Sequence, residues 1–491
     1  MVTDNLAVLF VASEADGLIK SGGLADVARA LPESLKQLGQ DVRLCIPAYS
    51  RIEGVHEAPV VLDTELTFWP HTQYRVRQLA LGEVCVYAIE CERYFDRPEM
   101  YAEHNQAYMD NGERFAFFSA ACLDMLPKLN FKPQIIHSND WHTGLVPYLL
   151  RQRYRDNSFF HRIRSVLSVH NAVFKGVFSY DELRCIPEFH TKHVPEAAVS
   201  ASHITMLKAG VMTADKIVAV SPTYAQELKT ELGSHGMGRE FQQRSGDLVG
   251  ILNGCDYQTW NPATDTLIPA NYTQELDSLL GGKQACKAAL QQRLGLPEVS
   301  NAMYGMVCRL THQKGIQYLL PILAQFLEHN VQMVVVGTGE IGMATKLKAL
   351  AEQFPDKLRF IEAYDNELAH WVEAGSDFFL MPSEFEPCGL NQIYSMAYGT
   401  LPIVRSVGGL KDTVIDYGQN APEATGFAFY DPSPEQLLIT MLSSLLLFEQ
   451  QPEKINQLRQ RAMQQDFCWS SAAKHYLELY RSAIEKETIY R

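Results

Sequence analysis

Several short stretches of this chain carry side chains able to grip an anion or to accept hydrogen bonds from hydroxyl groups. Lys20-Ser21-Gly22-Gly23 sets a mobile full charge beside two glycines. Glycine lets a ligand approach the backbone closely. A helix starting there would offer N–H groups with no intrahelical partner and a partial positive charge, which favours an anion. An ordinary strand-to-helix connection with a solvated lysine fits the same residues. Arg309 and Lys314, in Arg309-Leu310-Thr311-His312-Gln313-Lys314-Gly315, supply two more cations. Asp140, in Asn139-Asp140-Trp141-His142, and Glu386, in Phe385-Glu386-Pro387-Cys388-Gly389-Leu390, supply carboxylates, and His170 a ring nitrogen.

The elements around these residues repeat one arrangement. Leu6 to Ala12 is a continuous apolar run, suited to a strand buried on both faces. After the Lys20 turn, Leu24, Val27, Ala28, Leu31 and Leu35 share one helical face. Asp140 follows a short strand at Ile135–His137, and His170 follows Ser165–Val169. Lys216–Val220 leads into Ser221-Pro222, where serine suits an N-cap and proline the first helical position. Residues 58–91 read as β-rich, and Val249–Leu252 as a strand running into the turn-rich stretch Asn253–Pro262. A second strand–helix series then begins. Strands at Tyr304–Val307, Gln332–Val336, Leu358–Glu362, Phe378–Met381 and Leu401–Val404 each end in a polar loop. This alternation predicts two doubly wound α/β domains. Ligands of such sheets bind beyond the carboxyl ends of the strands, where Lys20, Asp140, His170, Arg309, Lys314 and Glu386 all fall. Two such domains facing each other would enclose a cleft suited to a diphosphate bearing a sugar. Cations and helix ends would take the phosphates, and acids and amides the hydroxyls.

Bulk properties narrow the partners. The 491 residues are 46% hydrophobic and 20% charged, with a formal net charge of −14. A long-range basic field for nucleic acid is therefore missing. The ten cysteines include no C-x-x-C pair and read as reduced core thiols. The N-terminal apolar run is short and lacks a basic leader, and no stretch reaches the ~18 apolar residues of a membrane span. A cytoplasmic protein is expected. His137 and His142 lack a third ligand at convincing spacing and read as structural rather than metal-binding. No aspartate has an aspartate partner two residues away, so no Asp-x-Asp metal pair is present.

The ordered motifs resemble the bacterial glycogen synthases and plant starch synthases: Lys20-Ser-Gly-Gly-Leu-Ala-Asp26, Asn139-Asp-Trp-His142, His170-Asn171, Ser221-Pro-Thr-Tyr224, Leu252-Asn-Gly-Cys-Asp256, Arg309-Leu-Thr-His-Gln-Lys-Gly315, Phe385-Glu-Pro-Cys-Gly-Leu390 and Tyr398-Gly-Thr-Leu-Pro402. The likeness runs over nearly the whole chain, and the Glu-Pro-Cys-Gly-Leu element is its most specific part. It implies two Rossmann-like domains of the GT-B type facing across a cleft: an N-terminal domain at 1–252, a nucleotide-sugar domain at 253–468, and a last helix at 469–491 crossing back to the first. It implies retaining transfer of glucose from ADP-glucose to the non-reducing 4-hydroxyl of an α-1,4-glucan. No cofactor, metal, membrane or nucleic-acid partner is implied.

By position, the resemblance puts Lys20, Arg309, Lys314 and the backbone of Gly22 and Gly23 on the diphosphate, and Glu386 on donor-sugar hydroxyls. It puts Asp140, His170 and Asn253 around the sugar. Asp26, Tyr101 and Tyr364 fall near the nucleotide, with Tyr364 stacking on the base. Cys388, Gly389, Leu390 and Asn391 complete the donor set. The chain departs from the family in having Asn391 where threonine is frequent, Glu384 where arginine is frequent, and Cys255 in place of an aliphatic. A non-catalytic glucan-binding relative, or a transferase using UDP-glucose or a small acceptor, is the alternative.

Overall fold

The structure is a computed structural model describing residues 5–68, 70–103, 106–191, 197–198, 200 and 202–485. The chain divides into two compact units. One runs through Gly254 and takes back the chain from Trp469; the other is Cys255–Cys468.

The first unit is built on a nine-stranded sheet among the described residues. Its order is Leu248–Gly250, Lys216–Ala219, Arg164–Val169, Ile135–Asn139, Ala7–Val11, Asp41–Pro47, Val84–Glu90, Thr72–Leu81, Val60–Leu66. The first seven strands are mutually parallel, and the last two add an antiparallel edge to Val84–Glu90. Ala7–Val11 is central, so four of its five residues are buried, as its unbroken apolar run requires. The helix Gly23–Gln37 turns Leu24, Val27, Ala28, Leu31 and Leu35 inward, all buried. Each such leucine or valine gains about 1.5–3 kcal/mol over an exposed one, and Leu31→Asp would disrupt this face. Trp469–Glu485 packs on the same helix and on Arg164–Val169. The Tyr480 hydroxyl lies 2.7 Å from His137 Nδ1, whose Nε2 meets Ser168 Oγ at 2.7 Å. His137 is therefore a sealed core residue, its basicity lowered to about 3 chiefly by burial.

The second unit carries a six-stranded, all-parallel sheet among the described residues. Its order is Leu358–Ile361, Val331–Val336, Ala302–Val307, Phe378–Met381, Leu401–Arg405, Phe427–Phe429. Numbered along the chain, that is 3-2-1-4-5-6, the dinucleotide-binding order with its switch point between strands 1 and 4. In the first unit the corresponding break lies between Ala7–Val11 and Ile135–Asn139.

The expected elements recur with small shifts. Val249–Leu252 is instead Leu248–Gly250, because the chain leaves the sheet edge early toward the unit boundary. The helix Leu276–Leu294 and the edge strand Phe427–Phe429 were not legible. The helix has a weakly segregated apolar face, and three-residue strands give no periodicity. No described helix is long and apolar enough to cross a membrane.

Candidate functional site

In the second unit the functional side chains meet at the switch point. Strand Ala302–Val307 delivers Cys308 and Arg309, and a short helical turn at His312–Lys314 delivers Lys314. Strand Phe378–Met381 delivers the loop from Ser383 to Leu390, and a helix begins at Asn391. Between them lies a pocket of about 170 Å³, lined by Cys308, Lys314, Ser383, Glu386, Gly389 and Asn391 among others. Lys314 Nζ donates to Glu386 Oε2 at 2.7 Å, and Ser383 Oγ donates to the same oxygen at 3.0 Å. Glu386 is buried, so a carboxylate held out of water has an ammonium and a hydroxyl as compensation. Burial pushes the neighbouring Cys308 thiol up to about 12. Arg309, the next residue, is exposed.

Tight backbone contacts hold this loop. Gly315 sits at φ +75°, and a Cβ there would lie 1.9 Å from the Pro382 carbonyl oxygen. Gly408, at φ +43°, would put one 2.0 Å from the Glu386 carbonyl oxygen, which accepts from the Gly409 amide at 3.1 Å. The nearly buried Arg405 donates through Nε to Ser383 O at 2.8 Å and through its second guanidinium arm to Glu384 O. Asn391 Nδ2 donates to Val307 O at 3.0 Å, joining the loop to the central strand. The Glu384 carboxylate accepts from the Tyr318 hydroxyl, which accounts for an acid at this position.

The first unit places a comparable set at its own break. Asp140 follows Ile135–Asn139 with φ 56°, ψ −170°, a conformation essentially reserved for glycine and worth about 1–3 kcal/mol of strain. Its Oδ1 accepts from the His170 amide at 2.7 Å and the Asn171 amide at 3.4 Å, while its own amide donates to Ser168 O at 2.9 Å. Burial still pushes the Asp140 carboxyl up to about 7, against the amides and with the Glu14 charge adding to it. His170 Nε2 lies 2.9 Å from Asn139 Oδ1, and burial lowers its ring to about 4, so it is neutral near pH 7. The Tyr101 hydroxyl meets Ser13 Oγ at 2.8 Å, and its ring lies 4.8 Å from that of His142. Burial, then Arg114, lowers His142 to about 3.

The Lys20 turn opens the helix Gly23–Gln37, with Gly22 as its N-cap residue. A Cβ on Gly22 or Gly23 would meet nothing within 4 Å, so the space before the turn is open. Lys20 Nζ donates to Asp26 Oδ1 at 2.5 Å, with Asp16 at 3.7 Å. Both turn lysine and loop lysine thus sit against an internal carboxylate: Lys20 against Asp26, Lys314 against Glu386. The buried Glu14, absent from the expected set, accepts from the Ser21 amide.

Among the other sequence-derived residues, Asn253 is buried and its Oδ1 has no hydrogen-bond partner among the described residues. Tyr364 is 88% exposed, a ring surface open for stacking, and Cys388 is buried at the start of the glycine turn. Sequence reasoning missed Ser13, Glu14, Ser383 and Arg405. The first two stand just past the central strand, and that position was the signal available. No group of three or more potential metal ligands occurs among the described residues.

Comparison with known proteins accords with this geometry. A family model described as "Starch synthase catalytic domain" matches residues 7–243, and "Glycosyl transferases group 1" matches 291–464. The chain is 68% identical to a glycogen synthase of Vibrio parahaemolyticus, covering 99% of this chain and 100% of that one. It is 64% identical to one from Vibrio vulnificus, with the same coverage. The catalytic domain of starch synthase IV from Arabidopsis thaliana, solved bound to ADP and acarbose, superposes with a TM-score of 0.89 at 30% identity, covering 98% of this chain and 100% of that domain. A sucrose-phosphate synthase from Thermosynechococcus elongatus, with a TM-score of 0.60 at 18% identity over 97% of this chain and 98% of that one, shares the fold.

Proposed function

The chain belongs to the glycogen and starch synthase family, and from that premise we propose that it transfers glucose from ADP-glucose to the non-reducing 4-hydroxyl of an α-1,4-glucan with retention of configuration. The observation that carries this reading is the Lys314–Glu386 pair beside a pocket at the Rossmann switch point. A diphosphate entering there offers Lys314 a stronger anion than the carboxylate it holds. Glu386, released, becomes an acceptor for donor-sugar hydroxyls, still oriented by Ser383.

As the glycosidic C–O bond breaks, positive charge grows on the sugar and negative charge on the departing ADP. Lys20, Arg309 and Lys314 are assigned to that negative charge, with the backbone of Gly22 and Gly23 and the helix start at Asn391. Fixed cations and dipoles stabilise such charge without reorganising. Asp140, His170 and Asn253 are assigned to the sugar. His170 is neutral near pH 7, so it acts as a hydrogen-bonding group and not as a cation. Asp26 and Tyr101 stand near the nucleotide, and Tyr364 offers its exposed ring to the base. The backbone and side chains of Cys388, Gly389, Leu390 and Asn391 frame the donor. Divisions at 252 and 468 are the working limits of the acceptor and donor domains. All ten cysteines are unpaired, which supports a reducing, cytoplasmic setting.

The test is incorporation of labelled glucose into glycogen from ADP-glucose and UDP-glucose in parallel. Faster incorporation from ADP-glucose is expected. Preference for UDP-glucose would overturn the donor assignment, and no incorporation from either would favour a glucan-binding role.

A further inference from the structure

We infer that Glu14 is a positioning residue for the donor diphosphate: its buried carboxylate clasps the Lys20 turn from behind and so fixes the amide and ammonium presented at its front. This rests on the reading that the turn receives the diphosphate.

The loop from Glu14 to Gly22 folds back on itself. Ala15 and Ile19 pair across an isolated antiparallel bridge, the Leu18 and Ile19 amides donate to Ala15 O, and the Asp16 amide donates to Ala25 O in the first helical turn. Gly17 takes φ +87° at the tip. Glu14 stands at one foot of this loop and is 4% exposed. Across the closure it accepts from the Ser21 amide. This bond favours the ionised form, while burial, the larger effect, opposes it and raises the carboxyl above its ordinary value. The carboxylate holds the foot of the loop closed: without it the Ser21 amide would lose the acceptor that ties the turn to the end of the strand.

The clasp also decides which amides remain. Ser21 points back to Glu14, and Ala25 donates to Gly22 O at 3.2 Å. The helix start therefore offers an incoming anion the amides of Gly22, Gly23 and Leu24, beside open space. The neighbouring residue performs a parallel task, since Ser13 Oγ holds the Tyr101 hydroxyl. Ser13-Glu14, just beyond Ala7–Val11, thus ties the turn and the tyrosine to the end of the central, buried strand. Such support converts a flexible glycine turn into a preorganised anion site.

The experiment compares Glu14→Gln with the wild-type full-length chain. Glutamine keeps the size of the side chain but loses the charge and one acceptor oxygen. ADP affinity by calorimetry is expected to weaken about tenfold, the loss typical of one charge-assisted hydrogen bond. KM for ADP-glucose should rise in step, while KM for maltoheptaose and the melting temperature stay near wild type. A merely structural role would lower the melting temperature and the active fraction and leave ADP affinity intact. Unchanged ADP affinity overturns the inference. Tighter ADP binding overturns it as well, since Glu14 would then act as a repelling charge. Lys20→Met is the companion variant. If it leaves ADP affinity unchanged, the reading of the turn as a phosphate site fails. If Lys20→Met weakens ADP and Glu14→Gln does not, the role of Glu14 alone fails.

Discussion

Each unit places a buried carboxylate at the break in its strand order, and the two solve the same problem in different ways. Glu386 in the second unit is compensated by a full charge, Lys314 Nζ at 2.7 Å. Asp140 in the first is held by backbone amides of His170 and Asn171, and its carboxyl rises to about 7. An ammonium can balance a carboxylate out of water, whereas two amide dipoles only partly do so. The glycines differ likewise. Gly315 and Gly408 in the second unit are pressed against carbonyl oxygens, while Gly22 and Gly23 in the first face open space. The former serve packing and the latter leave room for a ligand, although sequence inspection treats them alike.

The sharpest way to break the comparison is to remove the ammonium. Lys314→Ala leaves Glu386 without its compensating charge and, in the proposed reaction, the departing diphosphate one cation short. A loss of roughly 10²-fold or more in kcat is expected, exceeding any rise in donor KM. Steady-state kinetics decide it, and a change confined to KM would limit Lys314 to ground-state binding.

Asp140→Asn should cost less, about tenfold in activity, because an asparagine oxygen can still accept from the same amides. Its effect on stability carries a definite sign. Between the ordinary value of 3.8 and about 7, folded Asp140 keeps a proton that the unfolded chain has released. Wild-type stability from this group therefore falls as pH rises through that window. Asparagine has no such proton. The variant's melting temperature relative to wild type should climb between pH 4 and pH 7 and level off above. A difference that does not vary with pH would refute the assignment.

The glycines give a smaller, purely structural contrast. Gly315→Ala is expected to destabilise by more than about 2 kcal/mol, since its Cβ would lie 1.9 Å from Pro382 O. Gly22→Ala should leave the melting temperature unchanged, so any loss of activity reports on ligand approach. Equal melting temperatures for the two variants would remove the distinction. The smallest effect is expected from chelation. The leaving ADP carries about three negative charges, which Lys20, Arg309 and Lys314 can match, with two helix starts adding about half a charge each. EDTA should leave the initial rate within about twofold. Loss of activity restored by Mg²⁺ would overturn the all-protein charge balance.

Much of this architecture was readable before any coordinates. The run Leu6–Ala12 suited a doubly buried strand, and the apolar stripe from Leu24 to Leu35 marked the helix after it. Ser221-Pro222 marked a helix start that the structure shows, Ser221 Oγ accepting from the Tyr224 amide at 3.2 Å. Local periodicity encodes these features, since burial on one or both faces dictates which residues can stand there. The same alternation located Lys20, Asp140, His170, Arg309, Lys314 and Glu386 at strand ends, as a parallel sheet requires.

Other features depended on residues far apart in the chain. Glu386 meets Lys314 across 72 positions, Arg405 reaches back to Ser383, and His137 finds Tyr480 across 343. No pattern within one segment distinguishes those partners from equivalent residues elsewhere. The tertiary structure also decided that Asp140 would adopt a glycine-like backbone and that Glu14 would face inward to clasp a turn. Sequence periodicity assigned the elements because burial acts on each segment separately. Charge pairing, strain and hydrogen-bond supply were settled only by packing, because each depends on which groups the completed fold brings within 3 Å of one another and removes from water.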